Sequence, residues 1–313
     1  MPAELPLPLV VLIVLPLATL ALWALVEPHC LEITRYHLGP SGHWTGAPQR
    51  QPRPLPPDSR CSFHSFPAPL DAPERPGLRL VFFTDYHAGL MLAGRDRLLR
   101  VMLDARPDVV VFGGDLINGK WDRRRGFQDL AWFGAALYEA GIPFLSIRGN
   151  HDKGIDRSAW EDCGLVHLRN ERYCLEAGGE RWILVGLDDQ RLGTPDFAAA
   201  LEGHAADPAR TLVFAHNPDS VLDLKPGCQA QVFCGHFHGG QIRAPFRFEF
   251  RHLRSELLSQ AGYYGGLYDW LDFRLFISRG TGCVLFPLRF LARPEISIFD
   301  IQADSGGSRS HPR

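Results

Sequence analysis

Apolar residues are arranged along this chain as one long block followed by many short runs. The block comes first: residues 6–26 are 21 positions without a charge, and a helix of that length, at about 1.5 Å per residue, spans a roughly 30 Å hydrocarbon core. It predicts one transmembrane helix, in which Pro16 is tolerable and Trp23 suits the interface. From residue 78 onward the apolar residues come in continuous runs, LRLVFF, DVVVF, PFLSI, RWILVG, TLVF and QVFC, which read as buried strands. Between them lie stretches of helical period. RDRLLRVMLDA, for example, sets Leu98, Leu99, Met102 and Leu103 on one stripe. Alternating strands and helices predict an α/β fold.

Residues 40–76 break both periods with ten prolines, which predicts an extended tether, and residues 31–38 form a candidate edge strand before it. The expected organisation is a transmembrane helix over 1–28, a Pro-rich tether with that strand over 29–77, a catalytic domain over 78–302 and a disordered, Ser-, Gly- and Arg-rich tail over 303–313. The catalytic stretch is long enough to bury a core without disulfides. The seven cysteines, an odd number with no CxxC pair, point to neither a disulfide framework nor a zinc knuckle, and favour a reducing compartment. The basic residues nearest the apolar block, Arg35, Arg50 and Arg53, follow it. Positive-inside logic then gives a single-pass membrane protein with its catalytic domain in the cytoplasm and the bilayer as a partner. A net charge of −2 excludes a general nucleic-acid binder, which needs a basic face.

The chemistry sits where the apolar runs stop. TDYH supplies Asp85 and His87, GGD supplies Asp115, GNHD supplies Asn150 and His151, AHNP supplies His216, and GHFHGG supplies His236 and His238. Strand ends are where open α/β sheets build sites. Alternate residues of extended chain project to one side, so Asp85 and His87 can grip one ion together, and His236 and His238 point the same way. Adjacent Asn150 and His151 diverge, which leaves Asn150 for metal and His151 for substrate. Asp115, with two anionic oxygens on a short stem, suits a carboxylate shared by two ions. Oxygen and nitrogen donors without thiolate suit Mn²⁺ first, with Fe or Zn²⁺ as alternatives. Two divalent ions and two Asp carboxylates leave net positive charge to receive an anionic phosphate.

In this order the motifs resemble the calcineurin-like metallophosphoesterases over about residues 78 to 302. The resemblance implies two packed sheets with helices outside. It also implies Asp85, His87 and His238 on one ion, Asn150, His216 and His236 on the other, Asp115 between them, and His151 on the phosphoryl group. GDLINGKWDRRRG lacks the acidic-Arg-Gly sequence of the protein Ser/Thr phosphatase branch. GHFHGGQI and SRGTGCVLFPLRFLARPEI are instead similar to the membrane-tethered bacterial phosphodiesterases, including enzymes of the UDP-2,3-diacylglucosamine pyrophosphatase type. The expected function is metal-dependent hydrolysis of phosphodiester or pyrophosphate bonds at a membrane, on a lipid-linked substrate such as UDP-2,3-diacylglucosamine. A phosphodiesterase or phosphomonoesterase on soluble substrates is the alternative enzyme, and a metallophosphoesterase-fold scaffold the non-enzymatic one.

Several further residues carry weaker expectations. Asp152 is a candidate for orienting His151, and Asp188 or Asp189 for orienting a ligand histidine. Arg148 and Arg279, like the basic run Lys120, Arg123, Arg124 and Arg125, are candidates for holding phosphate oxygens. The segment 243–270 mixes arginines with Phe246, Phe248, Phe250, Tyr263, Tyr264 and Trp270, a composition suited either to a lipid surface or to an ordinary core.

Overall fold

Strands form where the β-branched and aromatic runs are continuous. The computed structural model describes residues 7–38, 44–45, 61–62, 77–202, 208–224, 231–270 and 273–302. In chain order the strands are β1 (Glu32–Leu38), β2 (Trp44–Thr45), β3 (Cys61–Ser62), β4 (Leu78–Phe83), β5 (Val109–Phe112), β6 (Phe144–Ser146) and β7 (Val166–His167), then β8 (Glu171–Ala177), β9 (Glu180–Gly186), β10 (Thr211–Phe214), β11 (Gln231–Cys234), β12 (Gly266–Trp270), β13 (Phe273–Ile277) and β14 (Glu295–Ile301). One seven-stranded sheet runs β2-β1-β14-β4-β5-β6-β7 and a second runs β12-β13-β11-β10-β9-β8-β3. The strands that end in motifs lie side by side and parallel, β4 with β5 and β5 with β6 in one sheet, β10 with β11 in the other. All of their carboxyl ends therefore meet at one edge of the sandwich.

The alternation within each run assigns the layers. Leu80, Phe82, Val109 and Val111 face Trp182, Leu184, Leu212, Phe214 and Phe233 between the sheets. Val81, Phe83, Val110 and Phe112 face outward, against Leu98, Leu99, Met102, Leu130, Phe133 and Leu137 from helices Arg95–Asp104 and Arg123–Glu139. Val185, Val213 and Val232 do the same on the far side, against Phe197, Leu201, Val221 and Leu258. With both faces of each sheet covered, central strands such as β5 and β10 are buried at every position. The two-sheet α/β expectation holds.

The expected tether contributes structure. β1 pairs in parallel with β14 from Glu32 opposite Glu295 to Leu38 opposite Ile301, and β3 adds to β8. The remainder of the Pro-rich stretch, and the tail expected to be disordered, lie outside the described residues.

The transmembrane expectation is corrected. A helix does form over Leu7–Val26, with Pro16 inside it, but among the described residues no helix is long and apolar enough to cross a membrane. Its end is also fixed to the domain: Arg289 donates its N–H to the Ala24 carbonyl at 3.0 Å, and the buried Glu27 carboxylate accepts the N–H groups of Leu291 and Ala292. The single-pass membrane placement falls with the span, and so does the cytoplasmic orientation drawn from it.

Candidate metal centre

At the shared edge the chain turns sharply after each strand, and the turns aim the side chains. Asp85, His87, Asp115, His236 and His238 all have positive φ, between 43° and 70°. The backbone there is left-handed, not extended: Asp85 and His87 share a cluster as expected, whereas His236 and His238, expected to point the same way, fall in different clusters. Such conformations are sparsely populated by non-glycine residues and collect at functional sites. Space is equally tight. A Cβ on Gly149 would lie 2.2 Å from Asp115 Oδ1, and one on Gly235 would lie 2.5 Å from Asp85 Oδ2.

Six of the seven expected ligands form two buried clusters. Asp85, His87 and His238 make one, and Asp115, His216 and His236 the other. His87 Nε2 lies 3.2 Å from His238 Nε2, which is 3.3 Å from Asp85 Oδ1. His87 Nδ1–H donates to the Ile117 carbonyl at 3.1 Å, so its Nε2 carries a lone pair. Two imidazole nitrogens and a carboxylate oxygen converging at about 3.3 Å are spaced as donors sharing one ion at about 2.1 Å. His216 repeats the arrangement, with Nδ1–H on the Gly113 carbonyl at 2.8 Å and Nε2 at 3.1 Å from Asp115 Oδ2. That same oxygen is 3.7 Å from His87 Nε2, so Asp115 faces both clusters. Asn150, the seventh, has its Oδ1 buried without a hydrogen-bond partner. The donor set therefore fits two divalent cations, and the orphaned amide oxygen fits a further ligand.

Electrostatics prepare most of these groups. Burial takes His87 and His236 down to about 4, and His238 well below the imidazole range, so three rings are neutral and ready to ligate at pH 7. His216 is the exception. Burial alone would lower it, but the Asp115 carboxylate outweighs burial and pushes it up to about 10. Asp115 shows the reciprocal effect: burial would raise it, and His216 with His87 holds it well below the carboxylate range. Asp85 goes up to about 6 by burial, which His216 opposes and the charge of Asp115 reinforces. Each tension is one that a cation between the groups would relieve.

His151 sits at the rim, half-buried. Its backbone N–H donates to Asp115 Oδ1 at 2.8 Å, its Nδ1 lies 3.3 Å from the Asn118 carbonyl, and its ring meets His87 edge-on with centroids 5.0 Å apart. Asp152 does not orient it. That buried carboxylate accepts the N–H groups of Asp115, Leu116 and Gly149 at 2.8 to 2.9 Å.

The matching of residues 78–240 to the family described as calcineurin-like phosphoesterase decides the lineage. The chain belongs to that family. YkuE of Bacillus subtilis, an uncharacterised metallophosphoesterase, is 30% identical over 237 residues, 72% of this chain and 80% of that protein. YkoQ of the same organism, also an uncharacterised metallophosphoesterase, is 25% identical over 73% of this chain and 85% of its own. The phosphodiesterase YaeI of Escherichia coli is 26% identical, covering 71% of this chain and 82% of its own. As a calcineurin-like phosphoesterase with two candidate metal-binding clusters, the chain is a metal-dependent phosphoester hydrolase.

The weaker expectations divide. Arg148 is committed to Asp188 through two hydrogen bonds of 2.5 and 2.9 Å, and Arg279 to Glu295 and Glu32, so neither is free for phosphate. Asp189 caps the turn at Arg191 and Leu192. Lys120, Arg123, Arg124 and Arg125 border the start of helix Arg123–Glu139, and Arg123 reaches the Gly154 carbonyl. In segment 243–270, Phe250 is buried and stacks on Tyr264 at 4.2 Å, whereas Phe246 and Phe248 are exposed. One residue of that segment escaped the sequence reading: Glu256, whose carboxylate meets His236. A lone acid before LLSQA gave no signal for it.

Proposed function

We propose that this chain is a two-metal phosphodiesterase. One ion is held by Asp85, His87 and His238, the other by Asn150, His216 and His236, with Asp115 between them and Mn²⁺ as the preferred metal. The observation that carries this reading is the single Asp115 oxygen lying 3.1 Å from His216 Nε2 and 3.7 Å from His87 Nε2, one donor from each cluster. Bound ions would supply a water of lowered pKa and would neutralise phosphate charge.

The chain's own residues do the rest. Asp115, its Oδ1 fixed by the His151 N–H, keeps both clusters in register. His151 directs Nδ1 at the Asn118 carbonyl; the tautomer with the proton there leaves Nε2 to meet substrate and, once protonated, to give its proton to the departing oxygen. Neutral His and Asn donors preserve the positive excess that draws in an anionic phosphodiester. The name of the similar E. coli protein, a phosphodiesterase, favours a diester over a monoester. The aromatic segment does not argue for a lipid-linked substrate by itself, since Phe250 is in the core and only Phe246 and Phe248 of its three phenylalanines are exposed. A complete donor set weighs against a scaffold role, which goes with lost ligands.

The test is a screen of purified, Mn²⁺-loaded protein against a chromogenic diester, a chromogenic monoester and a lipid pyrophosphate. Diester cleavage that EDTA abolishes is the expected result. Cleavage of the monoester or the lipid pyrophosphate alone overturns the diester assignment, and metal binding without any hydrolysis supports the scaffold.

A further inference from the structure

Glu256 lies outside every motif that names the site, twenty residues beyond His236 in the chain, yet its Oε1 sits 3.0 Å from His236 Nε2. Both side chains are buried, at 5% and 6% exposure. An ionised carboxylate has no proton to donate, so the ring nitrogen is the donor and His236 carries its proton on Nε2. His87 and His216 are set the other way, their Nδ1–H groups on the carbonyls of Ile117 and Gly113. Among these three rings His236 is therefore the one that offers Nδ1.

We infer that Glu256 is a positioning residue for the second metal, holding His236 in the Nε2–H tautomer so that Nδ1 is the ligating nitrogen. The inference rests on the two-metal reading above. The placement of Glu256 is over-determined. The Asp219 carboxylate, three residues past His216, accepts the N–H groups of Leu257 and Leu258 at 2.7 and 2.9 Å. Arg191, in the segment following β9, and Arg254, whose Nη donates to the His236 carbonyl at 3.2 Å, flank the same carboxylate. Segments following β9, β10 and β11 thus all bear on one carboxylate, and that carboxylate bears on one ring. Partners of this kind orient a ligating imidazole and raise its basicity, and their loss typically costs about 10- to 100-fold in metal affinity.

The experiment compares wild type with Glu256→Ala, Glu256→Gln and Arg191→Met by Mn²⁺ titration, by metal content and by the visible spectrum of the Co²⁺-loaded protein, with circular dichroism as the folding check. Glu256→Ala should weaken one of the two Mn²⁺ equivalents by about 10- to 100-fold and leave the other, with a changed Co²⁺ spectrum. Glu256→Gln, whose amide oxygen still accepts the Nε2–H, should recover most of that affinity. Arg191→Met removes the ion pair but not the His236 contact, and should bind both ions as wild type does. A long-range ¹H–¹⁵N correlation of the Zn²⁺-loaded wild type should show His236 protonated at Nε2. Two wild-type affinities in Glu256→Ala, or a His236 proton on Nδ1, would overturn the inference. Wild type that binds no Mn²⁺ would instead sink the two-metal reading itself.

Discussion

The Asp152 carboxylate holds the backbone of Asp115: one oxygen accepts the Asp115 N–H at 2.9 Å and the other the Leu116 N–H at 2.8 Å, with Gly149 N–H as a third donor. The residue following His151 in sequence therefore serves the backbone of Asp115 across the sheet edge. Asp152→Ala leaves three buried N–H groups without an acceptor. At about 1 kcal/mol or more for each orphaned group, the variant should lose roughly 3 kcal/mol of stability in urea unfolding and bind metal more weakly. An unfolding curve superimposable on wild type would show that water replaces the carboxylate at no cost.

Asp115 itself faces both clusters, whereas Asp85 belongs to one. Asp115→Ala should lower metal content at two sites and abolish hydrolysis, and Asp85→Ala should mainly strip one equivalent. Metal analysis of the dialysed proteins checks both. Two equivalents retained in Asp115→Ala would remove it from the bridging position.

His151 touches Asp115 through its backbone, not its ring, so His151→Ala should keep its metals. Turnover should fall about 10²- to 10⁴-fold, and the deficit should shrink for a leaving group that needs no proton. Metal lost together with activity would make His151 a ligand.

Protons compete with metal at His216, raised to about 10 by Asp115 against the opposing effect of burial, and at Asp85, raised to about 6 chiefly by burial. In the metal-free protein His216 is protonated throughout the neutral range. The Asp115–His216 pair stabilises it fully below the ordinary imidazole pKa and is lost as pH rises through about 10. Metal must displace that proton, so apparent metal affinity should rise with pH, with about one proton released near pH 7 and a second below about 6, where Asp85 also holds one. Calorimetric titrations in buffers of different ionisation heat count these protons. Affinity that does not change between pH 5 and 8 would contradict the assignment.

The aromatic segment separates into core and surface. Phe250, buried against Tyr264, should cost about 3 to 5 kcal/mol as Phe250→Ala. Phe246, 88% exposed, should be near neutral as Phe246→Ser. Thermal unfolding of the two variants compares them directly, and equal effects would refute the division.

The strands, their order as an α/β pattern and the residues that end them at the site were legible in the chain itself, because each is local. An apolar run buried on both faces announces a strand, and the residues that end it are its neighbours in sequence: Asp85 after LRLVFF, Asp115 after DVVVF, His216 after TLVF. What the tertiary structure decided is everything that depends on which segments come together. β1 was expected as an edge strand leading into a tether, but its parallel register with β14 and its place between β14 and β2 follow from a partner at the far end of the chain. The apolar block at the N-terminus implied a span, while the contacts of Ala24 and Glu27 with residues 289–292 anchor the end of its helix to the domain. The tautomers of the histidines, the placement of Asp152 beneath Asp115 and of Glu256 behind His236 are likewise invisible to periodicity. A hydrogen bond is set by distances of about 3 Å between groups far apart in sequence, and only the packing of the two sheets brings those groups within reach.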